Sequence, residues 1–436
     1  MSFDISDYVT RIDANRTLKD ELMARLKESR PRQRISVTDL LNPRKAFMQR
    51  THPEIQPTLE RKEAMLAGKG FHDLFGHAVS TEEYLEQFVE WDGIVGVIDV
   101  FNDIPIEMKT TGSVSEREEL RESRPAYVEQ LAMYCAMVDR DKGRIILYGR
   151  ESDDKKPLLA VYDASFDDLQ AVKEEMGKRR DALAAALKKG DPENLPGCPW
   201  IGRGCEYKDV CGCSGVPEFV PTIAKATPPL KPNPDEAKRL LSMLSTSRKA
   251  ERMALNDLVF PRKAYYDRLR KEQETDEDRL KRMDRAGFDR AFADAIEFGR
   301  GPESERKLLA MGDVQDRVTY LRGVPTILRT SKLNEVVSRE SMTRMFSHYL
   351  VRLAFECALT GFDKGRLILR YEKLQGDSRL MVYDVVFKDT EALLKEAEGR
   401  LLTLREVREG HLDPKELPPC PQWMTKYCQY QPSCGC

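Results

Sequence analysis

The chain has 436 residues, of which 41% are hydrophobic and 33% charged, so the composition is that of a water-soluble protein long enough for two or three domains. The net charge is −2, which excludes a global positive field that would draw the chain to nucleic acid. Any such contact must use a local patch. No apolar run is long enough to span a membrane, and the N-terminal segment lacks the apolar region of a signal peptide. We therefore expect a cytoplasmic protein without a membrane partner, in which the ten cysteines favour metal or cluster ligation over disulfides.

The sequence repeats itself at an offset near 220 residues. TDLLNPRKAF returns as NDLVFPRKAY, RDKGRIILYGRES returns as FDKGRLILRYEKL, and LPGCPWIGRGCEYKDVCGC returns as LPPCPQWMTKYCQYQPSCGC. This spacing is too long for a solenoid and predicts a tandem domain duplication, with domains at residues 1–213 and 241–436. The proline-rich residues 214–240 are predicted to be a semi-rigid linker.

Both copies have the same predicted order of elements. A helical region carries the Pro-Arg-Lys segment, and a second helix covers AMLAGKGFHDLFGHAV in the first copy. A strand pair, the helix AYVEQLAMYCAMV and the strands RIILYGR and LLAVYDA follow, then a long amphipathic helix and a cysteine-rich tail. Mixed strands between helices predict an α/β or mixed α+β fold, with a central sheet flanked by helices in each copy.

The strand pair VGVIDVFNDIPIEMKTTG, residues 95–112, carries charge where burial is expected. A three-residue loop at 102–104 would place Asp99 opposite Glu107, with Lys109 on the same face as Glu107. Opposed carboxylates destabilise a strand pair unless a divalent cation lies between them, and Mg²⁺ prefers such oxygen ligands. The alternative is a solvated hairpin with a Glu–Lys pair on its outer face.

Further polar residues flank this strand pair. His72 ends a Gly-x-x-x-His segment upstream, and Gln130 and Tyr134 stand four residues apart on one predicted helix face downstream. Each feature alone is usually part of a helix surface or core. Cys135 and Cys357 occupy equivalent helix positions and are predicted to be core residues.

Each copy ends in four cysteines, Cys198, Cys205, Cys211 and Cys213 in the first and Cys420, Cys428, Cys434 and Cys436 in the second. Four thiolates can complete a site for zinc or for a [4Fe–4S] cluster. Neither tail has the Cys-x-x-Cys pairs that zinc sites usually show, so the spacing favours a cluster, with zinc as the alternative.

The ordered set GxxxH, D…ExK, QxxxY and cysteine tail resembles the RecB-like branch of the PD-(D/E)xK nuclease superfamily, in particular the iron–sulfur exonucleases that include CRISPR-associated ones. The resemblance covers residues 36–213 and, more weakly, 254–436. It implies that His72, Asp99 and Glu107 hold Mg²⁺ or Mn²⁺, that Lys109 serves the attacking water, and that Gln130 and Tyr134 support the site and the DNA. It also implies one [4Fe–4S] cluster per copy. Ile98 stands where the motif name has proline.

One departure concerns the cluster. The family usually takes one ligand from an upstream Cys-Pro-Arg-Lys-like segment, but Asn42 and Phe260 occupy that place here. An extra tail cysteine is expected to restore four ligands. The cluster would then no longer connect the two ends of the domain. The pairs that follow, Arg44 with Lys45 and Arg262 with Lys263, are candidate nucleic-acid contacts.

The second copy lacks the acidic set. Aligning Pro105 with Pro325 replaces Asp99, Glu107 and Lys109 by Thr319, Ile327 and Arg329, and replaces Gln130 and Tyr134 by Arg352 and Glu356. No histidine occurs in the matching helix. This copy is predicted to be inactive while keeping its cluster. It would either contact phosphates through a more basic face or pack against the first copy as an intramolecular pseudo-dimer.

Together these features predict a metal-dependent DNA exonuclease whose first copy cleaves single-stranded or frayed ends. A helicase or a CRISPR integrase is the expected kind of partner. The alternative is a non-catalytic nucleic-acid-binding or scaffolding protein in CRISPR adaptation or in recombination and repair. Polarity, pathway and the choice between DNA and RNA stay open.

Overall fold

A computed structural model describes residues 3–28, 33–115, 118–198, 205–214, 216–244, 253–269, 274–421, 424 and 430–434. The strands are β1 (Val9–Ala14), β2 (Ile35–Ser36), β3 (Leu85–Trp91), β4 (Ile94–Phe101), β5 (Pro105–Ser113), β6 (Lys142–Glu151), β7 (Leu158–Ser165), β8 (Lys231–Pro232), β9 (Ser304–Met311), β10 (Val314–Leu321), β11 (Val324–Ser331), β12 (Lys364–Tyr371) and β13 (Leu380–Phe387). The helices are α1 (Arg16–Lys27), α2 (Val37–Leu40), α3 (Pro43–Thr51), α4 (Leu59–Val79), α5 (Leu120–Ser123), α6 (Pro125–Met137), α7 (Leu169–Lys189), α8 (Thr222–Ala226), α9 (Pro234–Met243), α10 (Leu255–Val259), α11 (Pro261–Leu269), α12 (Asp276–Ala295), α13 (Arg339–Met345), α14 (Ser347–Thr360), α15 (Thr390–Arg408) and α16 (Gln431–Cys434). None of the described helices is long and apolar enough to cross a membrane.

The chain divides into two compact units. The first unit comprises Lys27–Ser247 and Glu274–Phe292, and the second comprises Met1–Leu26, Arg248–Gln273 and Ala293–Cys436. These units differ from the predicted domains, because the first 26 residues join the second unit, whereas the predicted linker, residues 241–247 and residues 274–292 join the first.

The first unit is built on a mixed sheet with the strand order β2-β4-β5-β6-β7-β8, and β3 pairs with β4. Strands β5 and β6 are parallel and are connected through α6, whereas β4–β5 and β6–β7 are antiparallel. One apolar cluster joins α6 to the sheet through Leu131, Ile145 and Leu147. Another cluster contains Phe71 and Phe75 of α4 with residues of β5 and β6. Helices therefore flank a central mixed sheet, which confirms the predicted mixed α/β fold class.

The second unit has a corresponding sheet with the order β1-β13-β12-β11-β10-β9. Its parallel pair is β11 and β12, connected through α13 and α14, and its apolar cluster includes Leu353, Leu367 and Leu369. The edge strand of each sheet is the reason that the units differ from the predicted domains. Strand β1 pairs with β13, and β8, which precedes the second repeat, pairs with β7.

The edge strands β1 and β8 are each followed by an asparagine, and the two asparagines make equivalent hydrogen bonds. Asn15, which follows β1, donates through Nδ2 to Asp384 Oδ2 at 3.1 Å, and Asn233, which follows β8, donates to Asp163 Oδ2 at 2.6 Å. An arginine Nε donates to the second oxygen of each aspartate, Arg366 to Asp384 and the equivalent arginine of β6 to Asp163, both at 2.7 Å. The segment that precedes each repeat thus completes the sheet of the other unit.

Candidate active site

The hairpin between β4 and β5 has the predicted three-residue loop. Phe101 pairs with Pro105 and Val100 pairs with Ile106, but the antiparallel ladder ends there. Asp99 and Glu107 do not pair through their backbones. Instead, the Asp99 carboxylate Oδ2 accepts the backbone N–H of Met108 at 2.7 Å. Because a carboxylate replaces a main-chain acceptor, the strands separate at this point and leave room for side chains.

Strand β4 also changes its facing at Asp99. Ile98 packs in the cluster under α6, whereas Val100 packs in the cluster with α4. Residues two apart on a regular strand face the same side, so the strand must twist between these two positions. On the neighbouring strand, Glu86 has a positive φ of 48° and is skipped in the pairing with β4. Asp99 therefore lies at the position where β4 changes the side of the sheet that its side chains face.

The Gly-x-x-x-His segment has a steric explanation. Gly68, His72 and Gly76 follow one face of α4 at four-residue intervals. A Cβ atom on Gly68 would lie 3.0 Å from Thr110 Oγ1 of β5, and one on Gly76 would lie 3.2 Å from Leu85 Cδ2. The two glycines let the helix approach the sheet closely, and His72 Nδ1 comes to 3.8 Å from Asp99 Oδ2.

Glu107 and Lys109 form a buried ion pair next to these residues. The Glu107 side chain is 2% exposed, and Lys109 Nζ donates to its Oε1 atom. Its Oε2 atom and the Nε2 atom of His72 are buried without a hydrogen-bond partner among the residues that the structure describes. A buried polar atom left without a partner costs about 1–3 kcal/mol, and a bound ligand would offset this cost for both atoms.

Burial sets the protonation of this cluster in the absence of a metal ion. It raises the pKa of Glu107 to about 8, although the charge of Lys109 acts against the shift. Burial also lowers the pKa of His72, against the effect of Asp99, so the imidazole is neutral and able to ligate. For Lys109, burial alone would lower the pKa, but Glu107 and Asp99 outweigh it and raise the pKa.

Gln130 and Tyr134 lie on α6 beside this cluster. Gln130 Nε2 lies 3.4 Å from Tyr134 Oη, and burial, followed by the charge of Glu107, raises the pKa of the phenol. The ring packs against β4, because a Cβ on Gly96 would lie 2.5 Å from Tyr134 Cε1. The structure thus brings His72, Asp99, Glu107, Lys109, Gln130 and Tyr134 together in the first unit, where the neutral Tyr134 hydroxyl accepts from Gln130.

Two neighbours of the lysine did not emerge from the sequence. Lys109 Nζ lies 5.7 Å from the ring centre of Tyr127, and Arg124 Cζ lies 5.9 Å from the same ring. Arg124 also donates to Thr111 Oγ1 at 3.1 Å. Tyr127 stands three residues before Gln130 on the same helix, so helical spacing was the available signal. In the second unit Arg329 and Tyr349 repeat the contact at 6.0 Å.

The corresponding hairpin of the second unit has a different register. Arg322 and Gly323 both have positive φ and close a two-residue turn, so Thr319 pairs with Thr326. The extended register would therefore bring Val318, rather than Thr319, opposite Ile327. None of these side chains is a carboxylate.

Internal ion pairs fill the matching part of the second unit. Arg352 Nε donates to Glu356 Oε1 at 2.6 Å, and its Nη1 donates to Asp316 Oδ2 at 2.8 Å. Burial raises the pKa of Glu356, partly opposed by Arg352. Arg352, which replaces Gln130 in the second repeat, is therefore a buried guanidinium that two carboxylates neutralise.

The four tail cysteines of the first copy are free thiols that lie near one another. Cys213 is within hydrogen-bonding reach of both Cys198 and Cys211. Cys205 is close enough to influence the pKa of Cys198 and of Cys211. Burial would raise the pKa of Cys213, but these hydrogen bonds and the charge of Arg44 outweigh it and lower the pKa. The lowered pKa favours the thiolate of Cys213, whereas burial raises the pKa of Cys198, to about 12, and the pKa of Cys211.

In the second tail, Cys420 and Cys434 are buried. The predicted ligands Cys428 and Cys436 lie outside the described residues. Among the residues that the structure describes, the one group of three potential metal ligands whose ligand atoms all lie within 4.8 Å of one another is Glu406, Glu409 and His411 near the end of α15, and such exposed acidic groups are common without an ion. The ligand atoms of His72, Asp99 and Glu107 do not all lie within this distance, nor do those of any three tail cysteines of the first copy.

Arg44 of α3 has a structural role, because its side chain holds the cysteine tail. It is 2% exposed, and its guanidinium donates to the carbonyl oxygens of Pro192, Leu195, Pro196 and Cys211 at 2.6–3.3 Å. The predicted nucleic-acid contact is therefore wrong for Arg44, because every nitrogen of the group is directed into the fold. The absence of the upstream cysteine was expected to remove the connection between the two ends of the domain. Hydrogen bonds from Arg44 make that connection instead.

Arg262 makes the same contact in the second unit. It donates to the carbonyl oxygens of Lys415, Leu417 and Cys434, so its predicted nucleic-acid role is wrong for the same reason. The adjacent lysines are ion-paired, Lys45 with Glu206 at 3.0 Å and Lys263 with Asp267 at 2.7 Å.

Comparisons with known proteins give no family. No family model matches the chain, and no curated protein matches it. Among solved structures, one described as "Crystal structure of SSO0001" is similar over 45% of this chain and 94% of its own, with 20% sequence identity and a TM-score of 0.31. A likeness at this level carries no argument about function.

Replacing Arg44 by alanine is expected to destabilise the first unit by at least about 2 kcal/mol, because several buried carbonyl groups lose their donor. Urea unfolding and limited proteolysis of the tail would measure the effect, with Arg262→Ala as the matched change in the second unit. DNA affinity should fall no further than the loss of folded protein explains. An Arg44→Ala protein of unchanged stability that binds DNA more weakly would restore the contact role.

The metal-free protein is expected to lose stability as the pH rises from about 4.5 to about 8. Glu107 has a pKa near 8 in the folded state and an ordinary value of 4.5 when unfolded, so within this window only the unfolded state releases the proton. The penalty is absent below the window and constant above it. Thermal melts in a chelator at pH 5, 7 and 9 should show this slope reduced in Glu107→Gln. Equal slopes for the two proteins would contradict the assignment.

Proposed function

We propose that the chain is a metal-dependent DNA nuclease whose active site lies in the first unit. The observation that carries the proposal is a pair of buried atoms, Glu107 Oε2 and His72 Nε2, that have no hydrogen-bond partner in the described part of the chain and lie next to Asp99 and a buried lysine. One nitrogen and two carboxylates suit Mg²⁺ or Mn²⁺, and both ions are common in phosphodiester hydrolysis. The resemblance of the motif order to RecB-like nucleases supports the same conclusion independently of the geometry.

The donor types of His72, Asp99 and Glu107 fit such an ion, although the three ligand atoms do not all lie within 4.8 Å of one another in this structure. When bound, the ion would polarise the scissile phosphate and lower the pKa of a water molecule. Asp99 is held by the Met108 N–H, which orients one carboxylate oxygen while the other stays available. Glu107 would lose its proton on binding, because a ligand must be deprotonated, so binding should strengthen toward alkaline pH.

Lys109 is the residue that we assign to the attacking water. Its ion pair with Glu107 and its position over the Tyr127 ring fix the ammonium group at the edge of the acidic cluster. A fixed positive charge at this place stabilises the negative charge that develops on the phosphate oxygens. Tyr134 keeps its proton and can donate a hydrogen bond to the same region, with Gln130 beside it.

DNA as the substrate, cleavage at ends and a preference for single strands are supported by the resemblance alone. The motif order, with a histidine on the preceding helix and QxxxY on the following one, is that of RecB-like exonucleases. The second unit, whose matching region holds internal ion pairs, is proposed to be inactive.

The tail cysteines are proposed to hold a [4Fe–4S] cluster, with zinc as the alternative. The four free thiols of the first copy lie together, and the Arg44 hydrogen bonds hold the chain around them. Gly212, at a φ of +58°, allows the turn between Cys211 and Cys213. Cysteine coordination suits both metals, so donor type alone does not choose between them.

Protein purified without oxygen is expected to be brown, with charge-transfer absorbance between about 380 and 420 nm and close to four irons per occupied tail. Cys213→Ala should reduce the iron content, because the cluster of the first tail would lose one of its four ligands. A colourless protein that contains stoichiometric zinc would establish the alternative.

The nuclease proposal is tested by incubating end-labelled single-stranded DNA with the protein and Mn²⁺. Asp99→Asn is expected to reduce cleavage by about a hundredfold or more, because it removes a ligand charge from the site. Thr319→Ala, at the aligned position of the second repeat, is the matched control and should cleave normally. DNA binding without cleavage by the unaltered protein would instead favour a non-catalytic binding or scaffolding role.

A further inference from the structure

Helix α12 belongs to the second repeat but lies in the first unit. Its sequence GFDRAF, residues 287–292, matches GFHDLF, residues 70–75, of α4, so the two helices are equivalent parts of the two repeats. The match sets Gly287 against Gly70 and Asp289 against His72. The sequence pattern alone did not relate either glycine to the site.

The two equivalent helices touch at their equivalent glycines. A Cβ on Gly70 would lie 2.0 Å from the Gly287 carbonyl oxygen, and a Cβ on Gly287 would lie 2.4 Å from the Gly70 carbonyl oxygen. Neither position accepts a larger residue without backbone movement. A glycine inside a helix costs about 0.5–1 kcal/mol relative to alanine, and here the pair permits direct contact between two helix backbones.

Helix α12 is itself fixed to the first unit. Arg150 of β6 makes a bidentate contact with Asp284 at 2.9 and 3.0 Å. Leu280 and Met283 of α12 share an apolar cluster with Phe71 and Phe75 of α4. Arg290 Nη1 lies 3.3 Å from Asp73 Oδ2. The helix therefore forms a rigid support for α4 rather than a loose neighbour.

His72 lies inside the supported segment of α4. Gly70 precedes it by two residues, and Asp73, which pairs with Arg290, follows it directly. On the side toward the sheet, Gly68 holds the helix against Thr110. Moving α4 would change the distance of 3.8 Å between His72 Nδ1 and Asp99 Oδ2. Metal sites tolerate displacements of only about 0.5 Å before they lose affinity.

We propose that Gly287 and Arg290 are positioning residues for the metal site: α12 holds His72 beside Asp99, so the second repeat completes a site to which it contributes no ligand. This inference rests on the proposed metal site of the first unit. It gives the second repeat, which lacks counterparts of Asp99 and Glu107, a role other than DNA contact or packing between the repeats.

The test is direct measurement of Mn²⁺ binding to the full-length protein, by the electron paramagnetic resonance signal of free Mn²⁺. Gly287→Ala is expected to weaken binding by about tenfold, as loss of a supporting residue does at other metal sites. Gly177→Ala in α7 is the control, because a Cβ there meets no heavy atom within 4 Å. Arg290→Ala should weaken binding by about twofold to fivefold, in keeping with an exposed ion pair, and Arg290→Lys should restore it.

Each outcome separates this inference from the proposed function. Unaltered protein that binds Mn²⁺ at a site lost in Asp99→Asn, together with a Gly287→Ala protein that binds equally well, overturns the inference alone. Unaltered protein without such a site overturns both. If circular dichroism shows that Gly287→Ala is unfolded, the Arg290 variants decide: weaker binding by Arg290→Ala with rescue by Arg290→Lys supports the inference, and equal binding by all three proteins overturns it.

Discussion

The hydrogen bond from the Met108 N–H to the Asp99 carboxylate is the contact on which the candidate site depends. Strand β5 leaves β4 after only two paired positions and continues alongside β6 in the parallel direction. A backbone N–H exposed by this departure would be costly if it were left buried without an acceptor. Because Asp99 supplies the acceptor from its side chain, the strands can separate, and the space between them receives Glu107, Lys109 and His72. The same residue is thus required for the local fold and available to bind an ion.

The two repeats place different side chains on one framework. Among the residues that the structure describes, both repeats bury a glutamate oxygen without a hydrogen-bond partner, Glu107 Oε2 in the first unit and Glu356 Oε2 in the second. In the second unit, Arg352 forms ion pairs with both Glu356 and Asp316, and the register of the hairpin is set by a tight turn. The repeats therefore differ in how the buried carboxylates are balanced: two of them share one arginine in the second unit, whereas Glu107 of the first unit contacts Lys109 beside Asp99 and a neutral His72.

A buried arginine connects the two ends of each repeat. In each unit one guanidinium, Arg44 or Arg262, ties the helix that begins with Pro-Arg-Lys to several carbonyl groups of the cysteine tail. The planar, five-donor guanidinium suits this task, and lysine would not replace it. The connection between the ends of each repeat is therefore made by hydrogen bonds that require no metal.

The sequence by itself determined the mixed α/β fold and the three-residue loop between β4 and β5. These two features depend on local periodicity and spacing, which are visible in a single sequence. The group of polar residues that meet in the first unit was indicated by the resemblance of the motif order to a nuclease family, because no local spacing relates His72 to Asp99 or Gln130. The inward direction of Arg44 and Arg262 could not be read there, because a guanidinium in an exposed-looking segment has the same letter whether it faces water or carbonyl groups. The position of β1 beside β13 and of α12 beside α4 was also decided by tertiary structure. Equivalent segments of a repeat have similar sequence patterns, so the pattern does not show which unit a segment joins. Contacts such as the one between Gly70 and Gly287 are formed only in the tertiary structure.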